Sequence, residues 1–366
     1  MRARIRTALV VVIVAHGLVH LFGSRLSAGA AAVWLAAAVL LGAAGVLLAL
    51  RSRWWWVVGA VAVVVSQALI VTSWSDARAG TAANAVVLVA VLYGFASQGP
   101  MSPQAEYRRR AGEAVARVVP DGRVTDADLA HLPAPVAAYV RQSGAVGQER
   151  VTYLHARIHG RIRAGATEPW MTFTGEQVNT YSPEPSRLFL LDATMKGLPV
   201  DVIHTFVGPS ATMRAKVCSV VTMVDAAGPD MDRAETVTLF NDLCVLAPAA
   251  LVDAPVEWEA IDDTHVRGTF TNFSHQVTAE LVFNDDHELI DFISDDRLRA
   301  SDEGKTFVRQ RWSTPVRTYS NIGCRRLATV GEARWHAPDP EGTFTYLEFF
   351  VDEITYDAGA ARHQRA

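Results

Sequence analysis

The first hundred residues are nearly without charge: they hold seven Lys or Arg and one Asp or Glu, none of them within 7–23, 30–50, 54–73 or 80–97. A hydrocarbon core of ~30 Å is crossed by about 20 apolar residues in a helix, so these runs predict four transmembrane helices. Water-soluble helices would need a polar face, which the runs lack. Cysteine is scarce as well. Cys218, Cys244 and Cys324 make an odd number with no CxxC or Cys/His spacing, which excludes a disulfide framework or structural zinc site and suits a reducing compartment. Missing too are a GxSxG elbow, a GxxxxGK[ST] phosphate loop, a GxGxxG turn and an HExxH pair. Carboxylates do pair at Asp262-Asp263, Asp285-Asp286 and Asp295-Asp296, but at turns or strand ends. Neighbouring strand residues point to opposite faces, so these pairs read as turn formers rather than an acid/base couple.

What charge there is sets an orientation. Lys and Arg near span ends favour the cytoplasm. Arg2, Arg4, Arg6, Arg51, Arg53 and Arg108 to Arg110 fall on one side of the four spans and only Arg25 and Arg78 on the other. Both termini, and everything after residue 100, are therefore expected in the cytoplasm, under a plasma membrane crossed several times. The small residues from Ala28 to Ala32 allow a signal-peptide reading of the first run; two histidines inside that run speak against it. After residue 100 the balance reverses to 27 Lys or Arg against 37 Asp or Glu. An acidic domain of this kind is a poor partner for nucleic acid, which needs clustered cations. Nor does its surface favour an anionic leaflet.

Within the spans, His16 and His20 are four apart and share a helix face. Polar groups in a bilayer usually face the bundle interior or a functional site, so the pair predicts either hydrogen bonds to Ser66 or Gln67, or a haem or metal ligand set. No further metal ligand is evident in the spans, and no cofactor is expected from the sequence. Trp74, Asp76, Arg78, Thr81 and Asn84 gather at the outer end, where they would form a polar cluster with His16, His20 and Gln67 or simply a helix turn.

Beyond Pro100 a polar helix over 101–118 and two short helices at 126–132 and 135–143 lead into alternating sequence. In 151–163, Leu154, Ala156, Ile158, Gly160 and Ile162 face one way, and Tyr153, His155, Arg157, His159, Arg161 and Arg163 the other. Eleven further strands are expected at 170–181, 187–195, 200–206, 211–217, 256–261, 266–273, 277–283, 289–295, 306–312, 325–335 and 343–356, with a short one at 317–319. One helix, 232–245, interrupts them. The expected fold class is thus four transmembrane helices followed by an α+β domain, a long curved antiparallel sheet with one inserted helix and short N-terminal helices. The expected domains are 1–99 transmembrane, 100–149 a helical connector, 150–358 the sheet, and 359–366 a disordered tail.

The run His16-Gly-Leu-Val-His20, Ser66-Gln67, Trp74-x-Asp-Ala-x-x-Gly-Thr81 with Asn84, Trp170-Met-x-Phe173 with Glu176-Gln177, Asp225-x-x-Gly-Pro229, Trp258-x-Ala-Ile-Asp-Asp263 and Trp312-x-x-Pro315 together resemble a bacterial membrane-protein family of unknown function. That resemblance covers nearly the whole chain and implies no reaction. More faintly, strand order and the Trp- and Phe-rich sheet are similar to lipoprotein-carrier half-barrels, in which a curved sheet wraps a helix and holds acyl chains. Those carriers work outside the cytoplasm, against the side the arginines give here.

The aromatic and Met content of the strands, above one inserted helix, predicts an apolar hollow. Trp170, Phe173, Met213, Trp258 and Trp312 are the expected ligand contacts, and the ligand an apolar or amphipathic, lipid-like molecule drawn from the bilayer. A hollow closed by the helices at 126–143 would instead leave a structural or interaction module. An enzyme, the other alternative and the less expected one, would draw acid/base groups from Glu176, His204 and Asp242.

Overall fold

A computed structural model describes residues 3–23, 31–119, 122–301 and 303–357. The expected tail at 359–366, Arg2, Arg25 and Ala28 to Ala30 lie outside them. The chain divides into two compact units, the first running to Glu106 and taking in Cys218–Val220, the second made of Tyr107–Val217 and the chain from Val221 on.

In the first unit, α1 (Ala3–Gly23), α2 (Ala31–Ala49), α3 (Trp55–Thr72) and α5 (Gly80–Gln98) are long and apolar enough to cross a membrane, and α4 (Trp74–Ala77) is a single turn between α3 and α5. Small residues let these helices approach closely. A Cβ on Gly45 would come 2.8 Å from Val14, and one on Gly94 would come 2.6 Å from Trp55. Ile13, Leu41, Ala44, Ala62, Val87 and Ala90 form the interior.

α6 (Pro103–Arg117) bridges to the second unit, followed by a 3₁₀ turn (Asp126–Leu129) and α7 (Ala134–Gln142). Thr125 and Asp128 cap the turn reciprocally. The strands are β1 (Tyr153–Ile162), β2 (Met171–Thr180), β3 (Ser186–Met195), β4 (Leu198–Val207), β5 (Ser210–Val217) and β6 (Val221–Ala227), then, after α8 (Pro229–Leu246) and a 3₁₀ turn (Pro248–Val252), β7 (Val256–Ala260), β8 (His265–Asn272), β9 (His275–Phe283), β10 (Leu289–Ser294), β11 (Leu298–Ala300), β12 (Phe307–Arg309), β13 (Trp312–Ser313), β14 (Val316–Ile322), β15 (Arg325–His336) and β16 (Thr343–Thr355). Fourteen of them form one antiparallel sheet in the order β6-β5-β4-β3-β2-β1-β16-β15-β13-β10-β9-β8-β7, with β14 beside β15; β11 and β12 form a separate hairpin.

The alternation expected for β1 is present, because a period of two puts one set of side chains on each face. Leu154 and Ala156 are fully buried, while the outward His155, Arg157, His159 and Arg161 each meet a carboxylate of a neighbouring strand: Glu176, Glu353, Asp352 and Glu348. Tyr153 is buried on that outward side, under α6, with Ala111, Val115, Val178, Leu188 and Ile203. Arg163 departs from the expected outward stripe: β1 ends at Ile162, and Arg163 turns to donate to the carbonyls of Thr345 and Ala166. The expected strand at 306–312 is two, since β12 pairs with β11 whereas β13 pairs with β10 and β15. β6, with Val221 and Met223 exposed, carries too little alternation to have been expected.

Helix α8 starts at Gly228, whose φ of 96° suits a residue without a Cβ, and has Pro229 in its first turn. From Ala234 to Leu246 every residue but Thr238 is buried, including Glu235, Asn241 and Asp242. This stretch therefore has no solvent face: one side packs on the sheet, and another borders a hollow.

A candidate ligand cavity between sheet and helix

Between α8 and the inner face of β1 to β5, β15 and β16 lies a cavity of about 390 Å³, of the size that holds small ligands. Its sheet wall is apolar, with Ile158, Phe189, Leu191, Val200, Val202, Met213 and Ala215. These residues occupy alternate positions of their strands and so share one face. Across from them, Met231, Ala234, Thr238 and Val245 come from α8. The β11–β12 hairpin closes another side with Leu298, Ala300 and Phe307. Its Gly304, at φ 72°, sits so close to β6 that a Cβ would lie 2.8 Å from Val224.

A charged cluster is set into this apolar wall. Arg187 of β3 donates through Nε to Asp242 at 2.7 Å and through Nη1 to Glu235 at 3.0 Å. Gln177 and Asn179 of β2 also donate to Asp242, at 2.6 and 3.0 Å. His204 Nδ1 and Arg297 Nη2 approach Glu235 to 3.4 and 3.7 Å. Glu235 and Asp242 are seven apart, two turns of one helix, and Arg187 reaches both. Burial acts to raise the pKa of Glu235, but the charges of Arg187, His204 and Arg297 outweigh it and hold the carboxyl well below its usual range. Burial likewise opposes the charge on Arg187, and Asp242 and Glu235 more than restore it. A guanidinium with two carboxylates in a dry site is costly to place and costly to break.

Further round the cavity Trp312 Nε1 donates to Tyr346 Oη at 3.1 Å, and Arg297 lies over the rings of Trp312 and Trp335. Burial pushes the Tyr346 hydroxyl up from its ordinary pKa. Among the described residues, Arg297 Nε, Asn241 Nδ2 and Thr314 Oγ1 are buried without a hydrogen-bond partner, and all three residues line the cavity.

Residues 122–349, which take in nearly all of this architecture, match the model of a family of unknown function, DUF6544. The chain belongs to that family. No curated protein matches it. Similar solved structures are a DUF1329 family protein from Desulfovibrio piger, at 11% identity over 62% of this chain and 93% of that one with a TM-score of 0.37; a putative outer membrane lipoprotein-sorting protein domain from Vibrio parahaemolyticus, at 7% over 60% and 91% with 0.35; and a LolA superfamily protein from Nitrosomonas europaea, at 10% over 60% and 92% with 0.36. At these scores and identities, the function of the DUF6544 chain has to be argued from its own residues.

Of the expected ligand contacts, Met213 and Trp312 line the cavity. Phe173 is in the core beside it, against Gly160. Trp170 is half-buried under Arg161 and Arg163, and Trp258 of β7 packs on Phe240. Of the acid/base candidates, His204 and Asp242 line the cavity, while Glu176 is on the opposite face of the sheet with His155 at 2.9 Å. Arg187, Glu235 and Arg297 were not among the expected site residues. Arg187 did leave a trace, as the one charge in an otherwise apolar alternate set with Phe189, Leu191 and Ala193.

In the first unit, His16 Nε2 meets Asn84 Oδ1 at 2.9 Å, Ser66 donates to the same oxygen at 2.9 Å, and Asn84 in turn donates to Gln67 at 3.0 Å. Gln67 donates to Thr81 at 3.2 Å. His20 Nδ1 reaches the His16 carbonyl at 3.0 Å, and its Nε2 is buried without a partner. Trp74, Asp76 and Arg78 are exposed, in and beside the short α4. Among the described residues no group of three His, Cys, Asp or Glu could hold a metal.

Proposed function

We propose that this chain is a membrane-anchored binding protein whose sheet domain holds an apolar or amphipathic, lipid-like molecule on the cytoplasmic side of the plasma membrane. The observation that carries the reading is the 390 Å³ cavity, apolar along the sheet and polar at α8. An interior that needed only to be stable would fill this space, since protein cores pack to crystal density. Anchoring is supported by α1, α2, α3 and α5, whose outward side chains Val11, Val39, Val64 and Val89 are apolar and each more than half exposed. The cytoplasmic side is supported by the arginine distribution. The domain boundaries that go with this reading are those of the sequence: spans to residue 99, a connector to 149, then the sheet.

An enzyme is the second reading, because His204, Glu235 and Asp242 face one hollow. Glu235 argues against it. A proton carrier works best with a pKa near the working pH, whereas Glu235 is held charged against burial chiefly by Arg187.

Photo-crosslinking tests the binding reading. The full chain would be placed in nanodiscs containing a palmitate that carries a diazirine and an alkyne, and labelled peptides mapped. We expect labelling in β3 to β5 and α8, and we expect Ala215→Trp, which fills the cavity, to abolish it while α1 to α5 stay labelled. Labelled spans with an unlabelled cavity would sink the proposal.

A further inference from the structure

Three unpaired atoms in the cavity, Arg297 Nε, Asn241 Nδ2 and Thr314 Oγ1, call for a partner that the chain itself does not supply, because buried polar groups in folded proteins are almost always paired. Their chemistry narrows what that partner is. Arg297 Nε, Asn241 Nδ2 and Thr314 Oγ1 can all donate, and a guanidinium has no acceptor at all.

Charge points the same way. Four arginines line the cavity, against the two carboxylates Glu235 and Asp242, with His204 beside Glu235. Arg187 is committed to both carboxylates at 3.0 and 2.7 Å. Arg299 makes a forked pair with Glu341 at 2.7 and 2.9 Å, and Arg163 donates to backbone carbonyls. Arg297 differs from these three. Its nearest carboxylate oxygen, Glu235 Oε1, is 3.7 Å away, an ion pair beyond hydrogen-bond reach, while the other oxygen of that carboxylate accepts from Arg187. Its guanidinium is fixed over Trp312 and Trp335, and its side chain is largely buried. A rigid, desolvated fork with open donors is what binds a carboxylate or phosphate most strongly.

We infer that the ligand is an amphipathic acid, a hydrocarbon chain ending in a carboxylate or a phosphate monoester, with the headgroup held by Arg297 and assisted by Asn241 and Thr314. The chain would lie along the apolar wall of β3 to β5. This inference rests on the binding reading above and adds the headgroup to it.

The test uses the full chain in nanodiscs with the photoreactive palmitate as probe and palmitate, hexadecyl phosphate and hexadecanol as competitors. One of the two acids should displace the probe from cavity peptides at a mole fraction about tenfold or more below that of the alcohol, the factor expected for a charge-assisted contact. Whichever acid competes at the lower fraction assigns the headgroup. Arg297→Leu should bring the acid-to-alcohol ratio to about one and leave competition by the alcohol unchanged. Equal competition by acid and alcohol in the wild type, or a tenfold ratio that survives Arg297→Leu, overturns the inference and leaves the binding reading standing. A cavity that is never labelled overturns both. Should Arg297→Leu lose the wild-type amide protection in α8, Arg297→Lys decides. A ratio reduced threefold or more supports the inference, and an unchanged ratio overturns it.

Discussion

Strands β7 to β10 and strands β1 to β6 meet the same helix, α8, from two sides, and only the first side is filled. Toward β8 and β10 the ring of Phe240 stacks on Phe270 at 5.2 Å and meets the edge of Phe292 at 5.3 Å. Gly268 makes room for it, since a Cβ there would come 2.8 Å from Phe240. α7 adds Tyr139, which donates to the Cys244 carbonyl at 2.8 Å and lies 5.5 Å from Phe283. Toward β3 to β5 the facing residues run from Ala193 and Ala215 through Val200 and Val202 to Phe189, Leu191 and Met213, and a cavity of about 390 Å³ is left. The helices at 126–143, which could have closed the whole hollow, close only the other half. One fold thus separates two tasks. The aromatic half supplies stability by dense packing, which lets the other half stay open.

The largest expected effect breaks the filled half. Phe240→Ala should cost about 3–5 kcal/mol, the range for removing a fully buried aromatic ring. Met213→Ala, on the open half where the side chain already borders empty space, should cost less than about 1 kcal/mol, because little packing is lost. Amide hydrogen exchange in β8 to β10 of the full chain would report the first, and exchange in β4 and β5 the second. Equal losses from the two substitutions would mean that both halves are packed alike.

Next comes the charged cluster on the open half. Arg187→Met removes the cation from between Glu235 and Asp242 and leaves Asp242 with only the amides of Gln177 and Asn179 and Glu235 with only the more distant His204 and Arg297, a loss of about 3 kcal/mol. Adding Glu235→Gln and Asp242→Asn should recover most of it. A triple variant no more stable than the single one would show that Arg187 acts through packing rather than charge. The readout is the denaturant midpoint of the sheet domain, and the order of the three variants decides.

Much of this comparison was legible in the sequence, and the rest was hidden for definite reasons. The four long helices were readable because charge is absent from each run, and membrane-length apolarity needs no partner to be recognised. Strand positions followed from alternation, which is local; most ends fall within two residues of those expected. The turn role of Asp262-Asp263 was local too, and Asp262 accepts the backbone N–H groups of Thr264 and His265 at 2.8 Å, whereas Asp296 departs from that reading, buried between Arg233, Arg309 and the Thr278 N–H. The cavity's charges are another matter. Arg187, Glu235 and Arg297 lie 48 and 62 residues apart, and only the sheet order brings β3 against α8. Glu235 also sits in a helix whose sequence sets Val237, Phe240, Leu243 and Cys244 on one apolar face. That face exists, but α8 is buried on its polar side as well, which periodicity alone does not reveal. Trp258 shows the same limit. Its residue type suggested a ligand contact, yet β7 pairs with β8 at the far edge of the sheet, where the ring meets Phe240.

The smallest expected effect is a pH response that differs in sign between the halves. Asp291 of β10, on the filled side, has its pKa pushed up to about 6, chiefly by burial, which the Phe292 N–H and the charges of Arg334 and Arg311 only partly offset. Glu235, on the open side, is buried more deeply and yet shifted down, chiefly because Arg187 faces it, with Arg297 further off. Linkage then sets opposite signs. A group that holds its proton more tightly when folded favours the fold at acid pH. The contribution of Asp291 is therefore present below the ordinary aspartate range and lost as pH rises through about 6. Glu235 contributes stability above the ordinary glutamate range, and that part is lost as pH falls below it. Asp291→Asn removes the first response alone: it should raise the melting temperature relative to wild type at about pH 8, and the gain should shrink to nothing by about pH 4. Melting curves of the full chain at several pH values in that interval would check this. A gain of the same size throughout would show that the carboxylate at position 291 does not titrate between those limits, and that burial on the filled half is not what sets its proton affinity.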